Sequence, residues 1–503
     1  MRSKKAIYNI ISNFILEIII IIYGLIIPKA IIKEYGSEVN GLVASISQFL
    51  GYIALLEAGV GPVVKSALYK SIAKKDNKNI ANILRSSEKF FRNLSFIFII
   101  YLIGLSFIYP LFVNKSFDYF YTLSLVLIIS ISTFFEYYFG ITYKLYLQSE
   151  QKMYVTSLIQ ILTYLLNIIL IITIIKLKVS IHFIKLISGI IFILRPIIQN
   201  IYVKKKYNIN LNIADDNYKL EKKWDGLAQH IAAVINNNTD IVVLTLFSKL
   251  TEVSVYSVYN MVFIGIRSIV EAFVNGLSAA FGDIIAQGKN DILNKNFSLY
   301  ELSYFILITI IYSCTIILLI PFIKLYTMGI NDTSYIRVSF GIVMVVSQLI
   351  YAIRLPYNSL VLAAGHFKET RIGAWIEALS NIIISVILVI KFGIIGVAIG
   401  TLVAMIIRTV EYIYYTNKYI LYRNIFISLK KILIVIINVL FCIYIVKRIP
   451  LFEINSYISW LSYAVITFIV TSIITVLINV ILYRNDTRNL KKVLINNLRK
   501  KKV

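Results

Sequence analysis

Residues 154–175 read YVTSLIQILTYLLNIILIITII, a stretch of 22 positions without a charged side chain. A helix needs about 20 mostly apolar residues to cross the hydrocarbon core of a bilayer, so this stretch predicts a transmembrane span. Comparable runs recur along the chain. We place fourteen spans at about 6–28, 38–63, 93–113, 118–143, 154–175, 181–203, 227–248, 254–283, 299–323, 338–364, 372–391, 393–416, 430–446 and 457–483. The sequence therefore predicts an all-α polytopic membrane protein.

The composition supports this class and excludes others. Hydrophobic residues make up 59% and charged residues 15% of the 503 positions, whereas soluble domains have about half and a quarter. This excludes a water-soluble enzyme. The net charge of +26 lies between apolar runs rather than on a separate basic domain, which argues against a nucleic-acid partner. Two cysteines and three scattered histidines predict no metal site, and we expect no catalytic residues and no bound cofactor.

Basic residues predict the orientation. Most of the 51 Lys and Arg lie in the segments on the same side of the membrane as the N-terminus. The positive-inside rule then places both termini in the cytoplasm. Two longer cytoplasmic links, about 64–92 and 204–226, are basic, and we expect them to contact anionic membrane lipids.

A weak internal repeat predicts two lobes. The following matches recur at one offset of 214 residues: Ser37-Glu38-Val39 with Thr251-Glu252-Val253, Glu57 with Glu271, and Asn167 with Asn381. We expect a six-span N-lobe at 1–203, the basic link 204–226 and a six-span C-lobe at 227–418. Two further spans at 419–484 and a basic tail at 485–503 follow. Parallel repeats around a central cavity are typical of alternating-access carriers.

A charged residue inside a span raises the free energy of inserting that span into the membrane, so such residues mark candidate functional sites. Span 8 carries Asn260, Arg267 and Glu271. Arg267 and Glu271 are four residues apart and share a helix face, so they form either a self-neutralising pair or an anion site. In the second case Glu271 orients Arg267 or exchanges a proton. Span 10 carries Arg354, which either faces the cavity or snorkels to the interface.

Span 7 contains the run NNNTD at 236–240, which includes Asn237 and Asp240. Consecutive polar residues cover all faces of a helix, so this run predicts either hydrogen bonds between helices or a local break that lines a cavity. We assign Asn237 and Asn260 to substrate contacts and Asp240 to ion coupling or charge pairing.

The first lobe offers further polar residues. Gln48 and Tyr52 belong to one polar stripe of span 2 and are candidates for substrate contacts. Glu57 near the end of span 2 and Glu17 in span 1 join Asp240 and Glu271 as candidates for ion coupling or charge pairing.

Two stretches carry a family resemblance. Residues 363–401 read AAGHFKETRIGAWIEALSNIIISVILVIKFGIIGVAIGT, in which Gly393, Gly396 and Gly400 suit close helix packing. Residues 27–60 read IPKAIIKEYGSEVNGLVASISQFLGYIALLEAGV. With the fourteen spans, these stretches resemble the Wzx-type lipid-linked oligosaccharide flippases. These belong to the polysaccharide transporter family of the multidrug/oligosaccharidyl-lipid/polysaccharide (MOP) exporter superfamily.

The resemblance implies a function in a bacterial cytoplasmic membrane. The substrate would be an undecaprenyl-diphosphate-linked oligosaccharide destined for O-antigen or capsule, and cationic residues such as Arg267 and Arg354 would bind its anionic head. Polysaccharide polymerase and chain-length machinery are the implied protein partners. Return of the empty carrier would use H⁺ or Na⁺ coupling or no ion at all.

Other functions stay open at this point. A lipid II flippase differs only in the head group that it admits, and a cation-coupled multidrug exporter of the same superfamily would use the intramembrane acids. From another class, a polytopic polysaccharide polymerase or glycosyltransferase would also be rich in Ile, Tyr and Phe. The short predicted outer loops leave it little room for a catalytic domain.

Overall fold

The structure is a computed structural model that describes residues 2–57, 59–207, 209, 211–215, 218, 227–275, 278–449, 453–484 and 486–488. Much of the predicted basic link 204–226 and most of the predicted basic tail 485–503 therefore lie outside the described residues.

The described residues contain helices and no strand. The helices are α1 (Arg2–Tyr35), α2 (Ser37–Gly51), α3 (Ala54–Glu57), α4 (Val60–Lys74), α5 (Asn77–Val113), α6 (Tyr119–Phe135), α7 (Ile141–Ser149), α8 (Met153–Ile175), α9 (Ile181–Tyr207), α10 (Leu227–Phe247), α11 (Leu250–Asn275), α12 (Ser278–Ala286), α13 (Asn290–Tyr326), α14 (Val338–Ala364), α15 (Arg371–Phe392), α16 (Ile394–Tyr419), α17 (Phe426–Arg448) and α18 (Tyr457–Leu482). A π-helical turn, Glu136–Gly140, joins α6 to α7. The predicted all-α class is confirmed.

Within the described part of the chain, thirteen helical segments are long and apolar enough to cross a membrane. The sequence predicts fourteen spans, and the one that this count leaves out is span 7. It forms the 21-residue helix α10, but the polar run at 236–240 lowers its apolar character, and it is not among the thirteen. The alternative of a local break there is wrong, because α10 is continuous and Thr239 bonds back to the carbonyl of Ile235 at 2.7 Å.

Several helices extend beyond their predicted spans. The predicted basic link 64–92 is largely helical: it completes α4 and begins the 37-residue helix α5. Asp76 lies between these helices and caps α5 by accepting the amide of Asn79 at 3.0 Å. A side-chain cap of this kind satisfies an amide that the helix itself leaves unpaired, so α5 can start well before its apolar part.

The chain forms two compact units, Met1–Ser257 and Val258–Val503. In the N-terminal unit, α1 packs against α8, α5 and α9 pack against α6, and α10 packs against α2. In the C-terminal unit, α16 packs against α14 and α15, and α13 packs against α14, α17 and α18. We refer to these two bodies as the N-terminal and C-terminal units.

The glycines of GIIGVAIGT allow α15 and α16 to lie in close contact, as the sequence predicted. Gly393 turns the chain between the two helices with φ +55°. A Cβ atom at Gly396 would overlap the carbonyl oxygen of Leu388, and one at Gly400 would overlap the hydroxyl of Ser385. Small residues at such positions let helix backbones approach each other in a membrane.

Gly396→Ala should therefore lower the thermal unfolding temperature of the purified protein in detergent. The added methyl group meets backbone that cannot move aside, and overpacking of this kind costs about 1–3 kcal/mol. Gly104→Ala is the matched control, because a Cβ atom there meets nothing within 4 Å. Equal unfolding temperatures for the two variants would contradict the packing account.

Candidate functional site

The predicted pair on α11 is present. The Nε atom of Arg267 lies 2.9 Å from Oε1 of Glu271, one helical turn later. This geometry follows from the four-residue spacing, which places both side chains on one helix face. The pairing prediction is confirmed. Whether the pair also binds an anion stays a prediction.

The aromatic ring of Tyr351 on α14 contacts both Arg267 and Arg354. The guanidinium of Arg267 lies 3.9 Å from the centre of the Tyr351 ring, and that of Arg354 lies 4.6 Å from it. The Tyr351 hydroxyl also donates a hydrogen bond to Oε1 of Glu271. Cation–π contacts of desolvated guanidinium groups are worth about 2 kcal/mol or more, so the ring helps to hold both cations.

Arg354 is buried inside an ion-pair network. Its Nη1 atom lies 2.6 Å from Oε1 of Glu377 on α15, and its side chain is 11% exposed. Arg354 is therefore held by a carboxylate of a neighbouring helix, and its role in binding an anion stays a prediction.

The network continues to α16. Oε2 of Glu377 lies 3.6 Å from Nε of Arg408, whose Nη1 atom lies 2.5 Å from Oε2 of Glu411. Arg408 also donates to the carbonyl of Thr370 at 2.8 Å and to the hydroxyl of Tyr412 at 2.7 Å. A buried arginine is tolerated when its donors are used in this way.

We call this set the arginine network; its members are Arg267, Glu271, Tyr351, Arg354, Glu377, Arg408 and Glu411. Three guanidinium groups face three carboxylates, so the network is neutral as a whole. The three arginines differ in exposure: the side chain of Arg408 is 3% exposed, that of Arg354 is 11% exposed and that of Arg267 is 28% exposed. Arg267 is therefore the arginine of the network that a ligand can reach most easily.

Sequence reasoning missed four members of the network, namely Tyr351, Glu377, Arg408 and Glu411. A signal was present for each of them. Arg408 and Glu411 are three residues apart on α16, the spacing of an ion pair along a helix. Tyr351 lies three residues before Arg354 on α14, and Glu377 lies inside the stretch 363–401 that carries the family resemblance. The contacts of Glu377 with α14 and α16, and those of Tyr351 with α11, join different helices, and spacing along one helix cannot reveal them. Asn260 lies two turns before Arg267 on the same face of α11.

The candidates of the N-terminal unit form a separate cluster. Gln48 on α2 donates to the side chain of Asn238 on α10, and it lies 3.5 Å from the carbonyl of Asn237. Asp240 is buried and accepts the hydroxyl of Tyr256 at 2.7 Å. The polar run of α10 thus bonds to α2 and α11, which confirms the alternative of hydrogen bonds between helices.

Tyr52, which follows α2, joins this cluster through the side chain of Thr239 on α10. No hydrogen bond joins Glu57 or Glu17 to it within the described part of the chain. Glu57 accepts the hydroxyl of Tyr137 at 3.3 Å, in a cavity described below. Glu17 is half-buried on α1 and forms no ion pair with any residue that the structure describes. Their roles in ion coupling stay predictions. Among the described residues, no group of three or more His, Cys, Asp or Glu side chains could hold a metal ion.

A second buried charge cluster joins α13, α14 and α17. Glu301 is fully buried and lies 3.0 Å from Nη2 of Arg423 and 2.8 Å from Nζ of Lys431. It also accepts the hydroxyl of Tyr357. The three charged side chains are at most 9% exposed, which leaves a ligand no route to them. We interpret this cluster as a clamp that holds α17 against α13.

No family model matches the chain, and no curated protein matches it in sequence. Solved structures do match. The lipid II flippase MurJ in an inward closed conformation has a TM-score of 0.69 at 17% identity, covering 95% of this chain and 99% of that one. The fold is that of the MOP-superfamily transporters.

Two multidrug transporters show the same fold. An inward-facing MATE family transporter of the MOP superfamily has a TM-score of 0.58 at 17% identity and covers 81% of this chain and 93% of its own. The MATE multidrug transporter DinF-BH has a TM-score of 0.58 at 14% identity, with coverage of 83% and 95%. At these identities the likeness concerns the fold, and the substrate has to be argued from the site.

Glu377→Gln should be far more destabilising than Glu271→Gln. Glu377 neutralises two buried arginines, and removing one member of a buried ion pair costs about 3–5 kcal/mol. Glu271 is 38% exposed, so its loss should cost about 1 kcal/mol or less. Thermal unfolding of both variants in detergent measures the difference. Equal decreases in unfolding temperature for the two variants would mean that Glu377 does not stabilise the arginine network.

Proposed function

We propose that this protein is an alternating-access flippase of the bacterial cytoplasmic membrane, with both termini in the cytoplasm. Its substrate would be an undecaprenyl-diphosphate-linked oligosaccharide, moved from the inner to the outer leaflet for the synthesis of a surface polysaccharide such as O-antigen or capsule.

The observation that carries the proposal is the pair of arginines on the Tyr351 ring. Arg267 and Arg354 place two permanent positive charges on α11 and α14, both of them candidate spans. Guanidinium groups recognise phosphate with two parallel hydrogen bonds, which suits a diphosphate head group. A carrier of organic cations would gain nothing from two arginines at this depth.

Glu271 would act as the internal counter-ion of the empty carrier. It pairs with Arg267 at the exposed end of the arginine network, where a diphosphate oxygen would take its place. Arg354 is buried and paired with Glu377, so it would hold the Tyr351 ring in place rather than bind the head directly. The displaced Glu271 keeps the hydroxyl of Tyr351 as a partner.

The polar candidates would contact the glycan. Asn260, on the same face as Arg267, is placed to bond hydroxyl groups of the first sugars. Further hydroxyl groups of the glycan would bind to Gln48, Tyr52 and Asn237. Amide and hydroxyl side chains suit this task because they both donate and accept hydrogen bonds.

The membrane potential supplies a driving force. With the outside positive, outward movement of an anionic head gains about 2.3 kcal/mol per charge for each 100 mV. Return of the empty carrier would use H⁺ or Na⁺ exchange at Glu17, Glu57, Asp240 or Glu271, or no ion.

A lipid II flippase is the second candidate, favoured by the structural likeness to MurJ over 95% of this chain. It differs from our proposal only in the head group that the site admits. The MATE transporters share the fold over a smaller part of the chain, about four-fifths.

Inversion in liposomes tests the proposal. The purified protein is reconstituted with a tagged undecaprenyl-diphosphate oligosaccharide, and exposure of the head group to an impermeant reagent is followed with and without an imposed potential. We expect protein-dependent inversion, faster when the potential favours outward movement. Tagged lipid II in a parallel sample distinguishes the two flippase candidates. Saturable efflux of an organic cation without lipid inversion would overturn the proposal in favour of a drug exporter.

Arg267→Ala should slow inversion at least about tenfold, as expected from the loss of a charge-assisted hydrogen bond, while the protein still accumulates in the membrane. Arg267→Lys keeps the charge but not the planar fork and should retain part of the rate. Arg371→Ala is the matched control, because Arg371 is exposed at the start of α15. Normal inversion by Arg267→Ala would remove Arg267 from the anion site.

A further inference from the structure

A cavity of about 330 Å³ lies within the N-terminal unit, apart from the arginine network. It is formed where α3, α4, the π-helical turn and α7 meet. The polar side chains that line it are Glu57, Lys65, Glu136, Tyr137, Lys144 and Gln148.

The π-helical turn Glu136–Gly140 shapes one wall of the cavity. A π-turn inserts one extra residue into a helix, and such turns are frequent at functional sites. Gly140 is required here for close approach to α9, since a Cβ atom would lie 2.9 Å from Cβ of Pro196. The turn thus places Glu136 and Tyr137 at the cavity, while its Gly140 packs against Pro196 of α9.

Two carboxylates and two ammonium groups line the cavity, and only one carboxylate forms an ion pair with one ammonium group. Lys144 and Glu136 form an ion pair at 3.6 Å. Glu57 accepts the Tyr137 hydroxyl at 3.3 Å, but neither Glu57 nor Lys65 forms an ion pair with any residue that the structure describes. One carboxylate and one ammonium group therefore share a cavity without contacting each other.

The cavity lies at the ends of membrane spans. Glu57 is the last residue of the candidate span Ser37–Glu57, and Lys144 lies near the end of the span Tyr119–Ser149. Lys65 is on α4, which is not a candidate span. Span ends coincide with the interfacial layer in which lipid head groups lie.

We propose that this cavity binds the zwitterionic head group of an ethanolamine phospholipid. Lys65, assisted by Lys144, would bind the phosphate, and Glu57 would accept the ammonium. A ligand with only one charge would meet a like charge in the same cavity, whereas a zwitterion satisfies both. The volume is at the lower end of the range for small-molecule sites, about 300–1,000 Å³, which suits a head group.

This site goes beyond the proposed function and does not depend on which lipid is flipped. The recognised chemistry is an ammonium and a phosphate on one small molecule, which a phospholipid or a soluble compound could supply. The position at span ends favours the phospholipid.

Native mass spectrometry of the full-length protein tests the site. Delipidated protein in detergent is titrated with phosphatidylethanolamine, phosphatidylcholine or phosphatidylglycerol of identical acyl chains, and retained lipid is counted. We expect preference for phosphatidylethanolamine, because a trimethylated ammonium cannot donate hydrogen bonds to Glu57 and glycerol carries no cation. Glu57→Gln and Lys65→Gln should each weaken this binding about tenfold or more. The matched control is Lys74→Gln, because Lys74 is exposed on the same helix as Lys65.

Several results would overturn the inference. Equal retention of all three lipids would remove the head-group site, and so would unchanged binding in both cavity variants. Loss of binding in Lys65→Gln alone would indicate a simple anion site. Displacement by free O-phosphoethanolamine at the same concentration as the phospholipid would replace the lipid by a soluble zwitterion. Liposome inversion is measured separately, so failure of this site and failure of the flippase proposal are distinguishable.

Discussion

The constraint on which this structure depends is the cost of burying arginine in a membrane. A guanidinium group keeps its charge at any physiological pH, and an unpaired buried charge costs several kcal/mol. Glu377 on α15 offsets this cost for two arginines, because its carboxylate oxygens lie 2.6 Å from Arg354 on α14 and 3.6 Å from Arg408 on α16. Because Arg354, Glu377 and Arg408 come from three different helices, the ion pairs fix the arrangement of these helices. The close packing of α15 against α16 at Gly396 and Gly400 supports the same arrangement.

In the proposed function one network serves both stability and binding, because its arginines differ in exposure. The side chain of Arg408 is 3% exposed and that of Arg354 is 11% exposed, so both guanidinium groups are enclosed by their protein partners. At Arg267 and Glu271 the side chains are 28% and 38% exposed, so a phosphate can compete with the internal carboxylate. Tyr351 connects the two ends, since its ring contacts both Arg267 and Arg354. In the proposed function, a diphosphate would replace Glu271 at Arg267 and leave Arg354 and Arg408 paired with Glu377, so that the carrier could bind and release an anion without losing these buried ion pairs.

Much of the fold could be predicted because spans are local features. The predicted span 338–364 coincides with α14, and Arg267 with Glu271 followed from their four-residue spacing. Partners on other helices could not be predicted, because they depend on how helices rotate and pack. Glu377 is a single charge in an apolar run until the fold brings it within 4 Å of Arg354 on α14 and Arg408 on α16. The run at 236–240 shows the same limit: its composition fits a broken helix or a bonded one, and only packing against Gln48 and Tyr256 decides.

Photocrosslinking tests the central claim, that Arg267 and its neighbours receive a diphosphate lipid, most directly. An undecaprenyl-diphosphate sugar with a photoreactive group beside the diphosphate is added to the membrane-embedded protein, and labelled peptides are identified by mass spectrometry. The account predicts label on α11 and α14, near Arg267 and Tyr351, that unlabelled substrate displaces. Label confined to other helices, or label on α11 and α14 that unlabelled substrate does not displace, would contradict it.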